Sequence, residues 1–199
     1  MQNIAVFVSG GGTNLEALLL AQEAGQIPHG KITLVIASNT SAYALTRAAN
    51  HGVKGIAIPK KGKTQEDFER ELIAALDEYN IDLIVLAGFL TILSEDFTKR
   101  YPRRIVNIHP SLIPSFCGEG FYGLRVHEAA LERGVKLTGA TVHFVNEIAD
   151  GGEIILQKAV EVKEGDTPEI LQRRVMEQAE WLLLPQAVEL VSQEVIRNK

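Results

Sequence analysis

Short apolar runs alternate with amphipathic segments through the first half of the chain. Each run is four to six residues long, is apolar on both faces and is followed by polar or glycine-rich positions, which is typical of buried strands. Between two of them, Gln65–Tyr79 places Phe68, Leu72 and Leu76 on one helical face. Strands separated by helices predict a parallel sheet with helices on both faces. The runs predicted as strands are Ile4–Val8, Ile32–Ala37, Gly55–Ile58, Asp82–Ala87 and Ile105–Ile108.

The second half of the chain has a different pattern. Gly139–Val145 and Ile154–Val162 are two β patterns with little helix between them, so we expect mixed or antiparallel pairing there. Asp166–Glu169 has the capping residue and early proline of a helix start, and Pro185 is expected to kink or restart that helix. Together the patterns predict a single α/β domain over residues 1–199. Its fold is Rossmann-like, an open twisted sheet that is mostly parallel with late mixed strands.

Composition narrows the class of protein. The net charge of −5 argues against a general nucleic-acid surface, although it leaves a local anion site open. The single cysteine, Cys117, excludes an intramolecular disulfide and a cysteine-based zinc site, and it fits a reducing cytoplasm. Five histidines without clustered spacing disfavour a metal site. No apolar run reaches the roughly 18 to 20 residues of a membrane helix, and the N-terminus lacks the basic region of a signal peptide.

A segment with three consecutive glycines, Ser9–Asn14, joins the first predicted strand to the first predicted helix. Unpaired N–H groups at a helix start favour an anion such as phosphate. The segment lacks the Lys-Ser/Thr ending of a P-loop, and Leu15 stands where a dinucleotide motif has its last glycine. Two interpretations remain, a phosphate site or a tight turn in which Thr13 and Glu16 form a capping box.

Two polar residues lie at the end of the fifth predicted strand. Asn107 and His109 are two positions apart, so their side chains share one face of the strand. Ligands of open α/β sheets bind at the carboxyl ends of the strands. An amide and an imidazole at such a place suit the stabilisation of an oxyanion and the transfer of a proton. The alternative is a structural histidine beside a turn.

Two further stretches bear on the same site. Asp150–Gly152 is first of all a turn signal, but a carboxylate near His109 would raise the pKa of the imidazole. Pro110–Gly123 is the longest irregular stretch, and a loop of that length in a compact domain is more often functional than idle. We expect it to cover the site partly and to become ordered when ligand binds. Cys117, within it, has no sequence neighbour that marks a nucleophile.

These segments together resemble one known family, the folate-dependent formyltransferases. The Asn-Ile-His-Pro-Ser-Leu block at residues 107–112 marks the wider superfamily. The Ser-Gly-Gly-Gly-Thr-Asn-Leu start narrows the resemblance to its glycinamide ribonucleotide transformylase branch, over nearly the whole chain. The matching segments are Ser9–Asn14, Ala87–Leu90, Asn107–Pro114, Thr141–Val145 and Asp150–Gly152.

The resemblance implies the formyltransferase fold and a reaction of purine biosynthesis. A formyl group passes from the cosubstrate 10-formyltetrahydrofolate to the amine of glycinamide ribonucleotide, with no metal, nucleic acid or membrane required. A monomer and a homodimer both stay open. The site residues that it implies are Asn107, His109 and Asp150 for catalysis, Gly11, Gly12, Thr13, Asn14 and Glu180 for the ribonucleotide, and Leu90, Thr91, Ile92, Leu93 and Asn107 for folate.

The implied chemistry gives each catalytic residue a role. The amine attacks the formyl carbon, and a tetrahedral oxyanion forms. The cationic form of His109 and the amide of Asn107 would stabilise that oxyanion. Asp150 would keep His109 protonated and relay a proton through water to the departing folate nitrogen.

Among the positions that depart from the family pattern, two bear on contacts with the ligands. Thr91 stands where many members have a basic residue, which puts a side-chain contact with folate at that position in question. The ribose-binding glutamate matches Ala179 or, with a one-residue insertion, Glu180. We choose Glu180 because it keeps the spacing to Pro185. With a net charge of −5, phosphate recognition is expected to rest on backbone amides and not on a basic face.

Three other functions are compatible with parts of the pattern. A 10-formyltetrahydrofolate hydrolase would share the catalytic half but usually has an N-terminal regulatory domain. A methionyl-tRNA formyltransferase shares the Asn-x-His block but has a C-terminal RNA-binding domain and a more basic surface. A non-catalytic module that binds a phosphorylated metabolite would need the glycine-rich segment alone, and the coexistence of His109 and Asp150 counts against it.

Overall fold

A computed structural model describes residues 1–197, which form an α/β fold around one seven-stranded sheet. The strands lie in the order β3-β2-β1-β4-β5-β6-β7. Every strand begins and ends within two residues of a predicted one. The first four are short apolar runs bounded by polar or glycine-rich positions, which makes their limits visible in the sequence. The strands are β1 (Gln2–Val8), β2 (Gly30–Ala37), β3 (Lys54–Ala57), β4 (Leu83–Leu86), β5 (Ile105–His109), β6 (Leu137–Phe144) and β7 (Ile154–Glu161).

Helices connect the strands and cover both faces of the sheet. The predicted amphipathic helix is confirmed as α3, whereas α4 was not predicted, because six residues are too few to show a helical period. Among residues 1–197, no helix is both long and apolar enough to cross a membrane. The helices are α1 (Thr13–Glu23), α2 (Ala44–Asn50), α3 (Gln65–Glu78), α4 (Glu95–Arg100), α5 (Leu124–Arg133), α6 (Pro168–Val175) and α7 (Trp181–Arg197), with a π-helical turn, Met176–Glu180, between the last two.

The sheet changes from parallel to antiparallel at β5. Strands β1 to β5 pair in parallel, and β6 pairs antiparallel with both β5 and β7. The expected late mixed pairing is therefore confirmed. The register of β5 against β6 sets Asn107 opposite His143 and His109 opposite Thr141. This register brings polar residues from distant parts of the chain to one edge of the sheet.

Two apolar cores hold the helices against the sheet. Adjacent residues of β1 point to opposite faces, so Val6 packs in the core beneath α1 and α7 while Phe7 packs beneath α3 and α4. Both side chains are fully buried. Burial of a side chain of this size stabilises the fold by about 1.5 to 3 kcal/mol. The carboxyl ends of the central strands are thereby held in a fixed arrangement.

At two places the structure excludes one of the alternatives that the sequence left open. The capping box of Thr13 and Glu16 does not form, because Gly12 is the N-cap residue, in a left-handed conformation with φ of 74°, and Thr13 already belongs to the helix. Pro185 does not restart the last helix but lies inside α7. The irregularity falls earlier, at the π-helical turn, where one extra residue per turn shifts the helix face.

Candidate active site

The predicted site residues meet at the carboxyl ends of β1, β4 and β5. Asn107 and His109 are on β5, and Asp150 lies in the turn between β6 and β7. All three line one cavity of about 350 Å³ together with Leu90 and Ile92, from the segment after β4. The cavity is also bordered by residues 118–123 of the long loop before α5. The topology thus brings three distant segments of the sequence to one cleft.

Asp150 is the centre of the polar contacts in this cleft. Its Oδ2 lies 3.4 Å from His109 Nδ1 and accepts a hydrogen bond from the Gly118 N–H at 2.8 Å. Its Oδ1 lies 3.4 Å from Asn107 Nδ2 and 3.5 Å from His143 Nε2. The tight turn that carries it depends on glycine, since a Cβ at Gly152 would lie 1.7 Å from a backbone oxygen. The turn signal and the functional interpretation therefore describe the same feature.

The charges of His109 and Asp150 are set by their surroundings. Burial lowers the pKa of His109, and the opposing effects of the Asp150 carboxylate and the Phe116 carbonyl do not restore it. Burial alone would raise the pKa of Asp150, but its contacts with His143, His109 and the Gly118 N–H together lower it. These surroundings favour a neutral imidazole beside a carboxylate at neutral pH. Burial therefore disfavours the cationic form of His109 that the resemblance implies.

Hydrogen bonds fix the tautomers of the two imidazoles. His109 Nε2 lies 2.9 Å from the Phe116 carbonyl, so that nitrogen carries the proton and Nδ1 faces Asp150. His143 Nδ1 donates to the Phe144 carbonyl at 2.7 Å, so its Nε2 accepts from Asn107 Nδ2 at 3.1 Å. His143 was not among the predicted site residues, since a strand pattern alone does not say which face it occupies. The antiparallel register opposite Asn107 is the signal that identifies it.

The glycine-rich segment is packed against the start of α2. The N–H of Ala44 donates to the Gly10 carbonyl at 3.2 Å, and a Cβ at Gly12 would lie 2.7 Å from Ala44 Cβ. Arg47 Nε donates to the Gly11 carbonyl at 2.9 Å. The sequence did not indicate that a cation lies at this loop, because Arg47 belongs to a different helix. The backbone turn is thus reinforced by a positive charge.

Glu180 lies behind this loop, at the end of the π-helical turn. Its Oε2 accepts a hydrogen bond from Asn14 Nδ2 at 2.7 Å, and it is 6% exposed. Burial raises the pKa of Glu180 to about 7, although the bond from Asn14 opposes this rise. The neighbouring Ala179 is fully buried in the apolar core. Of the two candidates for the ribose-binding position, the structure brings Glu180 to the loop.

The segment after β4 has two differently placed sets of residues. Leu90 and Ile92 are 63% and 64% exposed and line the cleft, and Thr91 borders a smaller pocket beside it. Leu93 is buried in the core beneath α3. The segment therefore offers apolar side chains and backbone groups to a ligand from a fixed base. Among residues 1–197, no cluster of three or more His, Cys, Asp or Glu side chains is placed to hold a metal ion.

Comparison with known proteins defines the class to which this fold and site correspond. The sequence profile of the formyl transferase family matches residues 2–188 of this chain. The chain belongs to the formyl transferase family.

Individual relatives narrow the class further. Phosphoribosylglycinamide formyltransferase of Haemophilus influenzae is 38% identical, across 100% of this chain and 91% of its own length. The chloroplastic protein of the same name from Arabidopsis thaliana is 36% identical, across 98% of this chain and 67% of its own length. The crystal structure of glycinamide ribonucleotide transformylase 1 from Symbiobacterium toebii superposes with a TM-score of 0.90 at 40% identity, covering 98% of this chain and 89% of that one.

Some relatives are much longer than this chain. The chain spans 64% of the chloroplastic relative from Vigna unguiculata and 19% of the trifunctional purine biosynthetic protein adenosine-3 of Gallus gallus. It matches these proteins over 100% and 98% of its own length. The formyl transferase unit is therefore the part that all of them share with this chain.

Proposed function

We propose that this chain transfers the formyl group of 10-formyltetrahydrofolate to the amine of glycinamide ribonucleotide, a step of purine biosynthesis. The observation that carries the proposal is the cluster of His109, Asn107 and Asp150 in the cleft next to the Leu90–Leu93 segment. The family match and the names of the relatives support the same reaction. Residues 1–199 would act as one formyltransferase domain, in the reducing compartment that a chain with one cysteine suits.

The ribonucleotide would lie between the glycine-rich loop and the π-helical turn. N–H groups of Gly11, Gly12, Thr13 and Asn14 would bind its phosphate, since the start of an eleven-residue helix favours an anion. Arg47 also lies at this loop, and its charge is paired with Glu16 at 3.0 Å. The carboxylate of Glu180 would accept hydrogen bonds from the ribose hydroxyls. This arrangement directs the amine of the substrate towards β5.

The folate would lie in the cleft formed by the Leu90–Leu93 segment, Asn107 and the turn of Asp150. Leu90 and Ile92 offer apolar contact, and backbone groups of Thr91 and Leu93 lie in the same wall. Asn107 borders both the inner part of this cleft and the larger cavity of His109. The formyl carbon would therefore meet the amine beside the polar cluster.

The reaction then proceeds by addition and elimination. The amine nitrogen bonds to the formyl carbon, and the carbonyl oxygen becomes an oxyanion that the side chains of His109 and Asn107 stabilise. The negative charge that develops there raises the proton affinity of His109, so the neutral ring takes up the proton that the attacking amine gives up. The carboxylate of Asp150 stabilises the imidazolium until that proton passes on. Cleavage of the bond from the formyl carbon to the folate nitrogen completes the transfer, and that nitrogen receives the proton, so none is gained or lost overall.

The direct test is an assay with both substrates. We expect formylated ribonucleotide and tetrahydrofolate to appear in equal amounts. Release of formate from the folate without consumption of glycinamide ribonucleotide would instead identify a hydrolase. Tight binding of either ligand by calorimetry without any turnover would identify a binding module. The assay and the calorimetry together separate formyl transfer to glycinamide ribonucleotide from hydrolysis and from binding without turnover.

A further inference from the structure

The Leu90–Leu93 segment borders the cleft and is held in place by residues behind it. The segment leads from β4 into α4, and its cleft-facing side chains, Leu90 and Ile92, are more than half exposed. Leu93 anchors it by packing into the core. Burial of Leu93 fixes how close the segment lies to the core, but it does not fix the orientation of the backbone on either side. Ligand contacts made by a short irregular segment gain affinity when its backbone is held in the bound arrangement beforehand.

Glu69 on α3 accepts a set of hydrogen bonds directly behind this segment. Its side chain is buried, with 7% exposed. Its Oε1 accepts from the Ser94 backbone N–H at 2.7 Å and from Gln65 Nε2 at 2.6 Å, and its Oε2 accepts from Ser94 Oγ at 2.5 Å. All three donors are neutral. A carboxylate makes each of these bonds stronger than a neutral acceptor would.

Gln65 and Ser94 extend these contacts into the segment itself. Gln65 Nε2 also donates to the Ile92 carbonyl at 3.0 Å. Ser94 Oγ accepts from the Phe97 N–H at 3.2 Å and thereby begins α4. The backbone groups on either side of Leu93 are therefore both tied to α3, one directly by Glu69 and one through Gln65. This fixes the peptide planes from which Ile92 projects into the cleft.

We propose that Glu69 is a positioning residue for the folate cosubstrate. It does not touch folate but fixes the backbone from Ile92 to Ser94, so that the apolar side chains and backbone groups of the segment face the cleft in one arrangement. The proposal rests on the proposed function, because it takes the Leu90–Leu93 segment as folate-binding. Its chemical basis is that a carboxylate only accepts hydrogen bonds, so a Glu69→Gln change turns an NH2 group towards one of the donors.

Steady-state kinetics of Glu69→Gln test this role. We expect the KM for 10-formyltetrahydrofolate to rise about tenfold, as loss of one charged hydrogen bond allows, while the KM for glycinamide ribonucleotide changes by less than about twofold. Glu66→Gln is the matched control, because it makes the same change at an exposed position of the same helix, and it should leave both values unchanged. Gln65→Ala, which removes only the bonds of that amide, should raise the folate KM by a smaller factor.

Calorimetry with tetrahydrofolate as the probe provides a second measurement, and thermal melting checks that each variant is folded. Equal rises in both KM values, or an unchanged folate KM in folded Glu69→Gln protein, would overturn the proposal. If Glu69→Gln does not fold, Gln65→Ala against Glu66→Gln decides the question. If the wild type binds tetrahydrofolate but formylates nothing, the proposed function fails. The affinities of the variants for tetrahydrofolate, ranked by calorimetry, then still test Glu69. If it binds no tetrahydrofolate, both fail.

Discussion

The amide of Asn14 donates a hydrogen bond of 2.7 Å to the buried carboxylate of Glu180, joining the first glycine-rich loop to the π-helical turn 166 positions later. The two groups come from opposite ends of the chain and meet at the candidate ribonucleotide site. Asn14 is itself buried, and its Oδ1 has no hydrogen-bond partner among the described residues. The hydrogen bond that holds Asn14 of the loop therefore depends on the protonation state of Glu180.

The stability of the protein should depend on the protonation of Glu180. Burial raises its pKa from 4.5 to about 7 in the folded state, so the protonated form is favoured by folding. This contribution is fully present below pH 4.5 and is lost as the pH rises through about 7, which amounts to at most roughly 3 kcal/mol. Glu180→Gln removes it. Measured by urea unfolding, the free energy of unfolding should therefore fall less between pH 5 and pH 8 in the variant than in the wild type.

The control for this experiment is Glu177→Gln, an exposed carboxylate in the same turn. Because it makes the same chemical change without burial, its dependence on pH should match that of the wild type. Equal pH dependence of Glu180→Gln and wild type would show that the buried carboxyl group is not the source.

The pKa of His109 should fall further when the neighbouring carboxylate is neutralised. Burial already lowers it, and the charge of Asp150, 3.4 Å from Nδ1, is the largest effect that opposes burial. Asp150→Asn removes that charge and keeps the size of the side chain. NMR titration of labelled histidine rings measures the change directly. Asp77→Asn, an exposed site on α3, is the control, and an unchanged or higher pKa of His109 in Asp150→Asn would contradict the assignment.

Loss of the His109 imidazole should affect turnover far more than folding. His109→Ala removes a proton acceptor and an oxyanion donor, and each such group typically contributes about 10²- to 10⁴-fold in rate. We expect kcat to fall by at least that factor in the formyl transfer assay. His29→Ala, at a half-exposed histidine paired with Glu189, should keep full activity. Full activity in His109→Ala would rule out the mechanism.

The sequence predicts those helices and strands whose hydrophobic pattern lies within one short stretch of the chain. Ile32–Ala37 reads as a strand because it is apolar on both faces, and β2 ends at the same residue. The fold class followed from the alternation of such runs with helices. The start of α1 stayed open in the sequence, since the tendency of Thr13 to cap a helix competes with the ability of Gly12 to adopt a left-handed conformation.

The contacts of the site depend on tertiary structure that no local pattern contains. His143 reaches Asn107 only through the antiparallel register of β6 against β5. Arg47 and Glu69 act on segments that lie 36 and 25 positions away, through packing of separate helices. Burial, which lowers the pKa of His109, likewise depends on the assembled fold. The sequence therefore identifies candidate residues for the site, but not their charges or the residues that hold them in place.

The conformation of the glycine-rich loop should make Gly12 far less replaceable than Gly11. Gly12 has φ of 74°, and a Cβ there would lie 2.7 Å from Ala44 Cβ, so Gly12→Ala should lower the free energy of unfolding by about 1 to 3 kcal/mol. A Cβ at Gly11 meets nothing within 4 Å, and Gly11→Ala should change stability by less than about 0.5 kcal/mol. Urea unfolding of both variants measures the difference. Equal effects would contradict the packing of α2 against the loop.

The hydrogen bond between Asn107 and His143 should make their variants non-additive in kcat. The His143 tautomer, fixed by its bond to the Phe144 carbonyl, accepts from Asn107 Nδ2 and so sets the direction of the amide. Asn107→Ala removes the amide, after which its orientation no longer matters. Adding His143→Leu to Asn107→Ala should therefore lower kcat by a smaller factor than His143→Leu does in the wild type. Groups in direct contact typically couple by about 0.5 to 3 kcal/mol. A double-mutant cycle on kcat measures this coupling, and strictly additive effects would mean that His143 acts on the reaction without going through Asn107.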